Sequence, residues 1–158
     1  MSKEGKRGRS DCATAGALEL VGDRWSLLII RDYIFKGSRE YSDFIAMEEG
    51  ISSNILIARL KWLTDTGFLI KNPHPTNKKK FYYELTDKGF DLIDTIMTLA
   101  QWSWKHLPVA FSPREVKKAW SEDRNTFREE WRIRMAERSR EYLRDLPVSG
   151  RGLQGQVR

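Results

Sequence analysis

Ser52-Ser53-Asn54-Ile55-Leu56-Ile57-Ala58-Arg59-Leu60-Lys61-Trp62-Leu63-Thr64-Asp65-Thr66-Gly67 is the stretch on which the fold turns. Leu56, Leu60 and Leu63 recur at i, i+4 and i+7, the spacing that places three side chains on one face of an α-helix. Ser52 offers an oxygen to the unpaired amides of a first helical turn, and Gly67 is placed to stop the helix. A capped helix over 52–66 is therefore predicted. Its opposite face carries Asn54, Ile57, Ala58, Lys61 and Asp65. A solvated helix face is normally rich in charge. This one holds short polar and small apolar groups with a single cation near its middle, so it is suited to lie against another surface.

Upstream, Glu49-Gly50 reads as a turn. Before it a short helix near 42–48 is expected, with Ser42 as its cap and Tyr41 stapling the entry. From Arg24 to Phe35 the set Trp25, Leu28, Ile29 and Tyr33 recurs at helical spacing and Lys36-Gly37-Ser38 closes it. That is a core helix in which Trp25 packs rather than reacts. Residues 13–22 form a first helix of small residues ended by Gly22, a face that admits a partner helix closely.

Downstream, Phe68-Leu69-Ile70-Lys71 and Phe81-Tyr82-Tyr83-Glu84-Leu85 are aromatic and β-branched runs bounded by Asn, Pro and Lys, which makes them a strand pair. The tip between them, 72–80, has two prolines and ends in Lys78-Lys79-Lys80. It is stiff and cationic, and a cationic tip stays exposed. Thr86 caps a helix expected over 87–105, striped by Phe90, Ile93, Ile96, Met97, Ala100 and Trp104. Beyond Pro108, the charge-rich run 113–146 spaces Val116, Trp120, Phe127, Trp131, Met135, Tyr142 and Leu146 as one long or broken amphipathic helix. The Gly-rich, polar end from Val148 reads as disordered.

The 158 residues, 40% hydrophobic, suffice for one domain with a core and an appendage. The expected class is mainly α with a small β-hairpin (α+β), a winged helix-turn-helix with a C-terminal helical extension. It divides into a basic arm at 1–12, a DNA-binding and dimerisation domain at 13–107, the extension at 108–146 and a tail at 147–158. No run approaches the roughly 20 apolar residues of a membrane span, and the start has no apolar core of a signal peptide. A cytoplasmic protein that does not engage membranes is expected. Cys12 is the only cysteine, with His74 and His106 the only histidines, so no intrachain thiolate or imidazole metal cage can be built. No metal or other cofactor is expected. The chain shows no GxSxG elbow, glycine-rich phosphate loop or HExxH helix, which weighs against an enzyme.

The net charge is +6. Its placement says more than its size. Residues 13–107 carry twelve basic and twelve acidic groups, yet three of those cations are consecutive at the hairpin tip. Helix, helix, turn, capped helix and basic hairpin is the order of a winged helix that binds duplex DNA. Ser52, Ser53 and Asn54 are short groups able to donate and accept at base edges and phosphates, and Ile57 or Ala58 can meet a thymine methyl. Lys61 can reach a phosphate. Lys78, Lys79 and Lys80 attract the backbone or minor groove without regard to sequence. The rival reading is a winged-helix module whose hairpin and outward face bind a protein and no DNA.

Several segments in order, Cys12, Gly22-Asp23-Arg24-Trp25-Ser26-Leu27-Leu28-Ile29-Ile30-Arg31, Arg39-Glu40-Tyr41-Ser42-Asp43-Phe44, Gly50-Ile51-Ser52-Ser53-Asn54-Ile55-Leu56, Leu60-Lys61-Trp62-Leu63 and Tyr83-Glu84-Leu85-Thr86-Asp87-Lys88-Gly89, resemble the HxlR-type regulators, winged-helix relatives of the MarR proteins. The likeness runs from Cys12 to Trp104. It implies a homodimeric bacterial transcriptional regulator in which the first and post-wing helices build the dimer, on a palindromic operator with half-sites about one helical turn apart. Several relatives sense oxidants or electrophiles at the matching cysteine, so the resemblance also implies a redox sensor at Cys12. With no second cysteine, any disulfide is intermolecular or with a small thiol. The chain departs from the pattern in having Ala13 where Pro is common, a more lysine-rich wing, and the extension beyond residue 108. Three readings of that extension stand: a helix covering the dimer seam, a pocket for an apolar or aromatic small-molecule effector lined by Trp102, Trp104, Trp120, Phe127 and Trp131, or a surface for a second protein.

Overall fold

In the computed structural model, which describes residues 11–108 and 113–146, the chain starts with α1 (Ala13–Val21), ended by Gly22. The basic arm lies largely outside the described residues, and the tail at 147–158 wholly so. Helix α2 (Arg24–Arg31) is capped by Asp23, whose carboxylate accepts from the amides of Trp25 at 2.9 Å and Ser26 at 3.0 Å. It then widens into a π-turn over Asp32–Lys36. The extra residue per turn shifts the phase of the inward face. Ile29, Ile30, Tyr33 and Ile34 are buried, whereas Trp25 and Leu28, expected at the core face, are only half-buried.

Helix α3 (Tyr41–Ile45) starts one residue earlier than the sequence suggests, and Ser42 is not its cap. Glu40 holds that position and Asp43 reaches back to accept the amides of Arg39 (2.8 Å) and Glu40 (2.9 Å), a job an acidic residue in the first turn does well. Helix α4 (Ser53–Asp65) has the predicted cap at Ser52, and Gly67, at φ +78°, turns the chain out of it. Leu56, Leu60 and Leu63 face the core, and the Trp62 indole donates to the Leu20 carbonyl at 2.8 Å, tying α4 to α1.

The hairpin pairs β1 (Leu69–Pro73) with β2 (Phe81–Leu85), in register Leu69 to Leu85 and Lys71 to Tyr83. Phe68, expected in the first strand, is a buried hinge whose amide donates to the Leu63 carbonyl. A bridge from Glu40 to Tyr82 adds a short third rung on the other edge of β2.

The helix expected over 87–105 is two segments, α5 (Asp87–Phe90) and α6 (Ile93–His106). Gly89 lies so close to the neighbouring loop that a Cβ would come within 2.5 Å of the Phe68 carbonyl oxygen, and the chain turns directly after it. The C-terminal run likewise breaks, into α7 (Arg114–Glu122) and α8 (Arg124–Asp145), at an extended Asp123 that caps α8 through the amides of Asn125 and Thr126. One core holds both regions: Ile29, Phe44, Leu56, Phe90 and Ile93 cluster with Trp120, Phe127 and Trp131.

Candidate nucleic-acid interface

The outward face of α4 follows from its inward one. Because three leucines pin the helix, Ser53, Asn54, Ile57, Ala58 and Lys61 point to solvent and all are exposed. Ser52, exposed at the N-cap, accepts from the Ile55 amide at 3.4 Å. Its oxygen is thus shared between holding the helix start and any outside partner. Lys61 is bonded to Asp65 one turn on, an exposed pair worth little that a phosphate can displace.

The wing tip is held by its own backbone. The His74 amide donates to the Lys80 carbonyl at 3.0 Å, Lys80 to that of Asn77 at 2.9 Å, and Lys79 to the Asn77 side chain at 3.0 Å. Lys78, Lys79 and Lys80 are all exposed. Lys80 stands 3.4 Å from Glu40, whereas among the described residues no carboxylate pairs with Lys78 or Lys79.

Between the wing and α3 lies an open cleft of about 330 Å³ lined by Tyr41, Ser42, Lys79, Lys80 and Phe81. In the sequence, Tyr41 and Ser42 have the pattern of a staple and a cap. Their place beside the wing lysines comes from a contact between segments about 40 residues apart, for which there is no local signal.

The turn leading into α4 is anchored too. Arg31 grips Glu49 with two bonds, 2.6 and 3.0 Å, and these hold the Glu49 carboxyl down to about 2. Nothing in the sequence pairs the two.

Cys12 is exposed at the N-cap of α1. The backbone amides of Ala15 and Thr14 lower its thiol below the usual value, as a helix start does for an anion. Arg9, the cation nearest in sequence, lies outside the described residues.

The five aromatics expected to line a pocket differ in burial among the described residues. Trp120, Phe127 and Trp131 are buried and packed edge to face or tilted, with centroids 5.4 and 6.1 Å apart, and Phe35 abuts Trp131 at 4.6 Å. Rings this well packed fill space. Trp104 is half-buried under Lys117, and Trp102 is 56% exposed, its ring tilted against that of His106.

The extension covers part of the post-wing stripe expected at a dimer seam, with Phe90 under Arg128 and Arg132 and Trp104 under Lys117. Its arginines bind the body of the chain: Arg128 to Asp91 and Asp94, Arg132 to Asp87, and Arg138 to the carbonyls of Ile34 and Phe35. Leu18 on α1 and Leu99 and Trp102 on α6 remain exposed.

The family model of the HxlR-like helix-turn-helix matches residues 20–110, so α7 and α8 lie beyond it. An uncharacterized HTH-type transcriptional regulator of Mycobacterium tuberculosis is 39% identical over 92 residues, 58% of this chain. The matched region spans 57% of that relative's length. Among solved structures, a Porphyromonas gingivalis protein placed in the MarR family of transcriptional regulators aligns at 26% identity and a TM-score of 0.53, over 65% of this chain and 99% of its own. The reduced form of the transcriptional regulator YodB from B. subtilis aligns at 26% identity and a TM-score of 0.51, over 63% and 97%.

Proposed function

The chain belongs to the HxlR-like helix-turn-helix family of transcriptional regulators, and from that premise we propose that it binds a palindromic duplex operator as a homodimer in the cytoplasm. In each subunit α4 enters the major groove with Ser52, Ser53 and Asn54 at base edges or phosphates and Ile57 or Ala58 toward a thymine methyl. Lys61 takes a phosphate. The wing lays Lys78, Lys79 and Lys80 along the adjacent backbone or minor groove. The observation that carries this reading is the wing tip itself, an internally bonded cationic hairpin whose Lys78 and Lys79 meet no carboxylate among the described residues, beside a helix whose outer face is short and polar. The second subunit docks through α1 and α6, where Leu18, Leu99 and Trp102 are uncovered.

Cys12 serves this regulator as an oxidant sensor. Its exposure and lowered thiol support the role, as does the family resemblance. Two Cys12 thiols, one per subunit, join as a disulfide and pass two electrons and two protons to a peroxide or quinone. A covalent dimer on a non-reducing gel after peroxide treatment, absent in Cys12→Ser, is the expected sign.

The test of DNA binding is selection of bound duplexes from fragmented genomic DNA of the source organism, followed by affinity across salt. A palindromic winner is expected, with log K falling against log salt at a slope of roughly −5 if each subunit neutralises three phosphates. No enrichment and a shallow slope would replace this reading with a protein-contact module.

A further inference from the structure

We propose that α8 is a strap that fixes the wing against the helix-turn-helix, with Tyr142 as a positioning residue acting through Glu40. The inference rests on the DNA-binding reading for its consequence but not for its geometry. A two-stranded hairpin is marginally stable alone, and one that must be ordered on binding loses affinity to the entropy of ordering. Here the hairpin has contacts on both faces, although Ile70 on the outer one stays half exposed. Leu69 and Tyr83 pack inward, with Tyr83 against Phe44. On the other face Glu84 accepts from Asn72 at 2.8 Å and lies 3.4 Å from the Ser139 hydroxyl of α8, while the Tyr82 ring sits 5.4 Å from that of Tyr142.

Glu40 is the node. One carboxylate oxygen accepts from the Tyr142 hydroxyl at 3.0 Å and faces the His74 ring at 3.7 Å, and the other faces Lys80 at 3.4 Å. His74 and Lys80 are the two residues that close the wing tip, and Glu40 is the residue from which α3 starts. One side chain therefore ties the tip to the helix-turn-helix, and Tyr142 holds that side chain in place. Burial and the Glu40 carboxylate keep the Tyr142 phenol above its usual value, so it stays a donor. Beneath it, Arg39, 2% exposed, donates to the Tyr33 hydroxyl and to the Met135 carbonyl of α8 at 3.2 Å, bolting the strap to the π-turn. Helix α8 lies beyond the residues that the family model matches.

The test uses full-length Tyr142→Phe, which keeps the ring on Tyr82 and removes only the hydroxyl. Amide hydrogen exchange at His74, Asn77, Lys79 and Lys80 should accelerate about fivefold, the scale of one net hydrogen bond, with the amides of α4 unchanged. Affinity for duplex should fall by a similar factor while sequence preference is retained. Ile133→Ala, on the exposed side of α8, should do neither. Wing amides exchanging at the wild-type rate would overturn the proposal. So would equal acceleration in the wing and α4, which marks loss of general stability only. If the wild-type protein binds no duplex, the DNA reading fails alone, because wing exchange still reports on the strap.

Discussion

Asn54 and Lys79 are both exposed and polar, yet their loss should read differently. Asn54→Ala should cost roughly 1–3 kcal/mol on the preferred operator and relax preference there, as expected of a residue at a base edge. Lys79→Ala should weaken all duplexes alike and make the salt slope shallower by about 1 for each phosphate contact removed. Competition titrations against mutated operators separate the two. Glu49 supports a prediction about acid stability. Arg31 lowers its carboxyl from 4.5 to about 2, so the pair stabilises the fold fully above the unfolded value. That contribution is lost as pH falls from about 4.5 toward 2. Glu49→Gln should be less stable at neutral pH by on the order of 1–2 kcal/mol, screened as a partly exposed pair is, and should show a flatter acid limb in urea melts. The sequence showed Glu49 only as a turn residue, because its partner is 18 positions away and nothing local announces the pairing.

Among the elements, helices with regular spacing and a side-chain cap were readable in advance. Ser52 and the three leucines define α4, and Thr86 caps α5 by accepting from the Gly89 amide at 3.1 Å. Misreadings came where two local signals compete. Ser42 looks like a cap, but the helix starts earlier, with Glu40 at the cap and Asp43 accepting the amides of Arg39 and Glu40, and the π-turn after α2 changes the helical period itself. The extension was legible as an amphipathic helix, though periodicity cannot say what its stripe meets. Trp120 and Phe127 meet the core, so Trp120→Ala or Phe127→Ala should cost about 3–5 kcal/mol in equilibrium unfolding, against near-neutral change for Trp102→Ala. A pocket function for these rings would instead leave stability almost unchanged.

At the scale of the whole molecule, the uncovered apolar residues of α1 and α6 should be the dimer interface. Leu99→Glu or Trp102→Glu should give a folded monomer in sedimentation equilibrium and should abolish the preference for two half-sites over one. Dimerisation unchanged in both variants would place the seam elsewhere. The order of elements, the cap and inner face of α4, the hairpin and its basic tip could all be derived from residue order, because periodicity, capping and turn chemistry act over a few neighbouring residues. The folding of the extension onto its own body, the Arg31 to Glu49 clasp, the cleft beside Tyr41 and Ser42, and the Glu40 node beneath Tyr142 could not. Each joins side chains from 18 to more than 100 positions apart, and which of many such encounters occurs is set by how the helices pack in three dimensions.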